Sequence, residues 1–270
     1  IDFDFSGIPA ERLTLIGDSA SPVPWHTLLT GMFLIQIFYW STNQTITQRA
    51  MAAPTVKEAQ KGVYAAAFIR VIFIPSMVVI PGIVAFKLYG DIGDQAYGRI
   101  VGDLLPSWLS GVFAAAIAAA VLSSFNSMVN SSAAMYVCDL HERYIDEKPN
   151  VKRLSGIATS IFVLIAVAMV PVYAQSDSII NLLQELWGLI SMPILACFAV
   201  GLLFKNVDYR AAIAAVIAGV LMYACFIWLW MPLHYIHMMF FTFFICVGLA
   251  LTINRLVLGN KAEFIGLQAI

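Results

Sequence analysis

The chain has 270 residues, 61% of them hydrophobic and 11% charged, with a formal net charge of −1. A water-soluble domain carries about 25% charged residues, so a soluble globular protein is excluded. The small net charge and the lack of a basic tract leave no case for a nucleic-acid partner. Cys138, Cys197, Cys225 and Cys246 stand apart with no metal or redox spacing, and are read as small buried hydrophobes.

The chain begins at Ile1 without a methionine or a signal-peptide pattern, and is expected to be a piece of a longer protein. A polar segment, 1–25, precedes the apolar runs. Seven spans then supply the ~20 mostly apolar residues that a membrane helix needs, at 26–45, 59–88, 104–138, 153–174, 177–204, 209–230 and 234–257. The first contains "QIFYWSTNQ", polar at its end. The second carries Arg70 well inside its apolar run, where a charge is a functional hypothesis by default; the alternative is an arginine that snorkels or pairs with a carboxylate elsewhere. In the fifth span Gly188 and Pro193 permit a bend or break, and Ser176 before it is placed to cap the helix. Glu185 in that span either caps, snorkels or serves a site. His26, His234 and His237 lie near span ends and read as interfacial, as do Trp25, Trp228 and Trp230.

The third span ends in "AVLSSFNSMVNSSAAMY". At 100° per residue, Ser123, Ser124, Asn126, Ser127, Asn130 and Ser131 fall within an arc of about 160°, with Ala116, Ala119 and Ala120 on the same face. One reading is helix packing through small residues and back-bonded hydroxyls. The other is a wet cavity or an ion, since hydroxyl and carbonyl oxygens are hard ligands; with no carboxylate in the stripe, the ion would be monovalent.

Lys and Arg in the loops set orientation. Arg49, Lys57, Lys61, Arg143, Lys148, Lys152, Arg153, Lys205, Arg210, Arg255 and Lys261 fall on one side, against Arg12, Arg99 and Lys87 on the other. The N-terminal segment is therefore expected outside and the tail in the cytoplasm.

"QIFYWSTNQTITQRAMAAPTVKEAQKG", residues 36–62, resembles the solute:sodium symporter family, which includes the sodium/glucose cotransporters. Its W-x-x-N-Q-x-x-x-Q-R core and following E-A-x-x-G fall on Trp40, Asn43, Gln44, Gln48, Arg49, Glu58, Ala59 and Gly62. The third and fifth spans resemble two further helices of the family in the right order. The resemblance implies an all-α integral membrane fold, the second half of a LeuT-type inverted-repeat transporter. On this basis 26–206 is the second five-helix repeat, 207–270 two additional helices and a cytoplasmic tail, and the first repeat is missing. It also implies a bacterial inner membrane.

Carried over residue by residue, the family's sodium ligands fall on the Ala120 carbonyl and the hydroxyls of Ser123 and Ser124, with Na+ as the coupling ion. Relatives with a second sodium use positions matching Asn126 and Ser127. For the solute, the family's gating tyrosine and its neighbouring amide fall on Tyr39 and Gln36, and a sugar-contacting glutamine on Gln184. Trp40, Asn43 and Ser127 are assigned to the solute side with them. Arg70 stands where the sugar branch has lysine; its planar fork is not interchangeable with an ammonium, which weighs against plain glucose or galactose and leaves room for an acidic or modified sugar. For Tyr39 the alternative is an interfacial aromatic belt.

Sodium-coupled symport of a polar solute, most of all a sugar or sugar derivative, is the leading expectation. The expected partners are the solute, sodium, the lipid bilayer and the missing half. An amino acid, carboxylate or vitamin is the alternative substrate. From other classes, an intramembrane enzyme would need a GxSxG, an HExxH or an intramembrane Asp pair, none of which occurs, and a structural helix bundle runs against the family blocks.

Overall fold

The computed structural model describes residues 6–14, 16–19, 21, 23–175 and 179–266. It is helical almost throughout, because a backbone in hydrocarbon must satisfy its N–H and C=O groups within the segment. The α-helices are α1 (Gly31–Ser41), α2 (Gln44–Met51), α3 (Val56–Tyr89), α4 (Ala96–Leu104), α5 (Ser107–Ala134), α6 (Glu142–Tyr144), α7 (Val151–Ala174), α8 (Ile179–Leu203), α9 (Tyr209–Trp228) and α10 (Tyr235–Leu256). A π-helical stretch, Met135–His141, joins α5 to α6 and makes one helical rod of Ser107–Tyr144.

Among the described residues six helices are long and apolar enough to cross a membrane: α3, the Ser107–Tyr144 rod, α7, α8, α9 and α10. They coincide to within a turn or two with the second to seventh expected spans. The first expected span differs. Residues 26–45 form a 3-10 turn (Trp25–Leu29), the 11-residue α1 and the start of α2. At 1.5 Å per residue α1 covers about 16 Å, roughly half of a ~30 Å hydrocarbon core. The third span also starts later than expected: Leu105 before Pro106 is extended (φ −89°, ψ 138°), which ends α4 and lets α5 begin after the proline.

Local chemistry sets the helix starts. Thr55 accepts from the Glu58 N–H in the T-x-x-E box that opens α3. Asn150 accepts from the Arg153 N–H at α7, and Asp208 from the Arg210 N–H at α9. The expected Ser176 cap of α8 lies outside the described residues.

The chain divides into two compact units. Unit 1 comprises Ile1–Leu13 and Thr47–Ile179. Here α5 packs on α7, and α4 on α3 and α5. Small side chains, Ala133 on α5 and Ala158 on α7, are among its few buried residues. Arg12 donates to Asp91 at 2.6 Å and lies over the Phe86 ring at 4.1 Å. The guanidinium holds the Asp91 carboxyl below its ordinary range, so the pair stays charged at neutral pH and is lost only as pH falls through that lowered value.

Unit 2 comprises Thr14–Ile46 and Ile180–Ile270. Its core joins Leu34 and Ile35 of α1, Met192 and Leu195 of α8, Tyr223 of α9, and Tyr235, Ile236 and Met239 of α10. Two glycines permit this closeness: a Cβ on Gly31 would run into the Ile236 carbonyl, and one on Gly188 into the Tyr223 hydroxyl and Met239. Gly188 therefore makes room for Tyr223. Gly188 and Pro193 permit a bend or break, and α8 runs unbroken through both with its buried face packed. Of the four cysteines only Cys246 is buried; Cys197 is half-buried, and Cys138 and Cys225 are exposed. The histidines are not merely interfacial: His26 Nδ1 and His237 Nε2 share a hydrogen bond at 2.8 Å, and Thr30 Oγ1 lies 2.9 Å from His237 Nδ1, tying the turn before α1 to α10.

The end of unit 2 is held by Asn254, which is fully buried. Its Oδ1 accepts from the Asp208 N–H at 2.9 Å, and its Nδ2 donates to the carbonyls of Asn206 (2.9 Å) and Asn260 (3.3 Å). Asn206 itself takes a left-handed φ of 59°, which asparagine tolerates. A short ladder pairs β1 (Phe204–Lys205) with β2 (Glu263–Phe264) beside it. Replacing Asn254 with leucine keeps the number and branching of side-chain heavy atoms but strands these three backbone groups. The expected cost is about 1–3 kcal/mol, read as a lower melting temperature of the purified protein in detergent; an unchanged melting temperature would remove Asn254 from this role.

Candidate functional site

The sequence S-T-N at 41–43 both ends α1 and starts α2. Ser41 Oγ donates to the Ile37 carbonyl at 2.5 Å and Thr42 Oγ1 to the Phe38 carbonyl at 3.0 Å. The N–H groups of Thr42 and Asn43 also converge on the Phe38 carbonyl, at 3.0 and 3.1 Å. Asn43 then accepts from the Thr45 N–H through Oδ1 at 2.9 Å, an Asx cap on the next helix. One orphan N–H at the start of α2, that of Thr45, is thus satisfied by a side chain.

This leaves α1 with two faces. Gly31, Leu34, Ile35 and Phe38 cluster on the side packed against α10. At 100° per residue Gln36, Tyr39 and Trp40 centre on a direction about 140° away from it, and Asn43 lies beyond the helix end. Gln36 is exposed, the other three are half-buried, and the Tyr39 and Trp40 rings meet edge to face at 5.6 Å. Three of the expected solute residues thus share one face of α1. Gln184, half-buried on α8, accepts a hydrogen bond from the Tyr235 hydroxyl at 2.9 Å. With its oxygen engaged, its amide N–H groups remain as donors. Tyr235 was not singled out from the sequence, where an aromatic at a helix start reads as a membrane-interface residue. Within the same core the buried Tyr223 hydroxyl has no hydrogen-bond partner among the described residues.

Unit 1 carries the other candidates. Ala120, Ser123 and Ser124 are exposed on α5, Ser127 is half-buried and Ser131 buried. Ser127 donates to the Ser123 carbonyl at 2.9 Å, Ser131 to the Ser127 carbonyl at 2.8 Å, and Ser132 to the Met128 carbonyl at 3.0 Å. In addition, Arg49 Nη2 donates to Ser127 Oγ at 2.5 Å, and Ser131 Oγ lies 2.9 Å from Gln48 Oε1. The two readings of the stripe therefore divide along its length. Around Ser127 and Ser131 it packs and bonds within the protein; at Ser123 and Ser124 it presents hydroxyls outward. Gln48 and Arg49 enter the sequence reading only as signature letters, and no periodicity reveals that they reach α5. Arg70 is the fifteenth residue of the 34-residue α3 and is exposed on it.

Among the described residues no group of three His, Cys, Asp or Glu side chains could hold a metal ion. What the α5 face offers a cation is hydroxyl and carbonyl oxygen. A cavity of about 670 Å³ at the start of α7, lined by Asn150, Lys152, Arg153 and Ser160, contains none of the expected site residues.

Comparison with known proteins gives a consistent result. A family model described as the sodium:solute symporter family matches residues 15–219. The chain is 30% identical over 254 residues to an uncharacterized symporter, YidK, of Escherichia coli K12, covering 92% of this chain and 44% of that protein. It is 34% identical over 215 residues to a sodium/glucose cotransporter of Vibrio parahaemolyticus, covering 72% of this chain and 39% of the relative. It is 28% identical over 225 residues to the human sodium/myo-inositol cotransporter 2, covering 75% and 33%. The chain spans less than half the length of these curated relatives.

If Asn43 caps α2, Asn43→Ala should cost about 1 kcal/mol there. Hydrogen exchange of the backbone amides should quicken over 45–51 and stay unchanged in α9 and α10. Equal protection of 45–51 in both proteins would show that the cap is not made.

Proposed function

The chain belongs to the sodium:solute symporter family, and from that premise we propose that it forms the second half of a sodium-coupled symporter for a sugar or another polyol-like solute. The observation that carries this reading is the outward pair of adjacent hydroxyls, Ser123 and Ser124, on an otherwise apolar membrane helix. With the Ala120 carbonyl they offer hard, uncharged oxygens, suited to a small monovalent cation. The relatives' names, a glucose and a myo-inositol cotransporter, support a polyhydroxylated solute. The shared face of Gln36, Tyr39 and Trp40, with Asn43 just past its end, has what such a solute needs: amide groups for hydroxyls and an aromatic ring for a C–H face. Gln184 adds amide donors. Arg70 adds a charged fork, which favours a solute with an acidic or strongly accepting group.

Coupling then follows from population shift. Sodium and solute each bind the states that complete their sites, and binding both favours occluded and inward-facing forms. The upstream repeat supplies the opposite wall of the sites, so transport belongs to the complete symporter. No covalent chemistry is involved. The protein is an integral membrane protein; its place is a bacterial inner membrane, with the N-terminal segment outside and the tail in the cytoplasm.

Uptake into proteoliposomes by the complete symporter tests this. A panel of labelled glucose, galactose, myo-inositol, sugar acids and amino acids, with and without a sodium gradient, should reveal sodium-dependent uptake of a sugar or polyol. Ser123→Ala and Ser124→Ala should each raise the sodium concentration for half-maximal uptake, by the equivalent of about 1–3 kcal/mol for a lost hydroxyl ligand. Unchanged sodium dependence in both would remove these residues from the ion site.

Orientation has its own check, in a cysteine-free background. An impermeant maleimide applied from outside should modify cysteines placed at Arg12 and Asp91, which meet in unit 1, and should spare those at Lys57 and Lys148. Labelling at Lys148 from outside would invert the topology.

A further inference from the structure

The hydroxyl of Ser127 sits between two partners whose roles are fixed by chemistry. A guanidinium only donates, so Arg49 Nη2, at 2.5 Å, takes a lone pair of Ser127 Oγ. The single proton of Ser127 is then directed to the Ser123 carbonyl, 2.9 Å away. That carbonyl already serves the α-helical ladder, so both its lone pairs are engaged. One turn further on, the Ser131 proton lies between the Ser127 carbonyl at 2.8 Å and Gln48 Oε1 at 2.9 Å. Gln48 and Arg49, adjacent on α2, thus hold two rungs of the ladder Ser123–Ser127–Ser131, and all five residues belong to unit 1. Exposure falls along the ladder, from exposed Ser123 through half-buried Ser127 to buried Ser131.

We propose that Arg49, acting through Ser127, is a positioning residue for the cation site, and that Ser127 is not a solute contact. The inference rests on the reading of Ser123 and Ser124 as cation ligands. With the Ser123 carbonyl saturated, the ligand this residue can give a cation is its hydroxyl. The Arg49–Ser127 pair fixes the α5 backbone one turn below that hydroxyl and keeps the Ser127 proton from competing for it. Arg49 also sets a fixed positive charge below the site, which opposes a cation moving down the stripe toward Ser131. Orientation acts through a direct hydrogen bond to Ser127, and in this proposal it outweighs the repulsion. Loss of the pair therefore weakens cation binding.

The test measures sodium and solute half-saturation for uptake by the complete symporter, in Ser127→Ala, Arg49→Gln, Arg49→Lys and the Ser127→Ala/Arg49→Gln double variant. Ser127→Ala and Arg49→Gln should each raise the sodium half-saturation about three- to tenfold, the scale of one charge-assisted hydrogen bond. The double variant should be no worse than the stronger single one, since both remove the same relay. Arg49→Lys, which keeps a charged donor, should shift less than Arg49→Gln. At saturating sodium the solute half-saturation should stay at its original value. Additive shifts, no shift, or a Ser127→Ala effect confined to the solute would overturn the proposal. If Arg49→Gln fails to reach the membrane, Ser127→Ala, which deletes one atom, carries the test with its solute and sodium responses. Ser123→Ala and Ser124→Ala separate the two levels: a flat response there ends the cation-site reading itself, whereas a shift there with no shift in Ser127→Ala or Arg49→Gln ends only this inference.

Discussion

A bilayer gives no water to a stray backbone N–H or C=O, so an interruption of a helix has to be closed by the chain's own side chains. The candidate site depends on how the interruption at residues 41–43 is closed. Ser41 and Thr42 return protons to the carbonyls of Ile37 and Phe38, and Asn43 receives the N–H of Thr45. Three short polar residues thereby mark the stop of one helix and the start of another, with Asn43 capping the second. Had α1 continued, Gln48 and Arg49 would follow its 3.6-residue period; as it is, they sit on a helix of their own and hold Ser127 and Ser131.

The same constraint governs the polar stripe of α5. Serines in an apolar helix are tolerated when each proton has an acceptor, and bonding back to the carbonyl one turn earlier is the cheapest local solution. Ser127, Ser131 and Ser132 all take it. What distinguishes the first two is a second partner from α2. Ser123 and Ser124, one turn earlier, stand at the exposed end of the ladder. A helix face that is closed at one end and open at the other suits a bound ion better than a uniformly packed seam.

Unit 2 shows how close packing is achieved without many polar bonds. Van der Waals contact and small residues drive helix association where lipid tails are as apolar as leucine. Gly31 lets α1 approach the backbone of α10, and Gly188 lets Tyr223 lie against α8. At the membrane boundary, where backbone leaves the helices, Asn254 does the equivalent work by hydrogen bonding three loop groups at once. Tyr235 ties the same α10 to Gln184, so the helix that completes the core also orients a candidate solute contact.

Composition and apolar run length were enough to determine that the chain is an α-helical membrane protein and to place six of its spans, because crossing hydrocarbon leaves so few backbone solutions. The signature from Trp40 to Gly62 was enough to indicate the family, since W-x-x-N-Q-x-x-x-Q-R is a spacing that packing alone does not demand. The serine stripe was visible as a period, but its two halves were not, because back-bonding and outward presentation use the same residue type at the same spacing. Only the tertiary structure decided that the first apolar run is broken, since "STN" can ride within a helix or cap its ends, and the choice turns on where its side-chain protons go. It alone brought Arg49 to Ser127, 78 positions away, and Tyr235 to Gln184, 51 positions away. Hydrophobic period reports which face of a helix is apolar; it carries no information about which distant polar group will meet it.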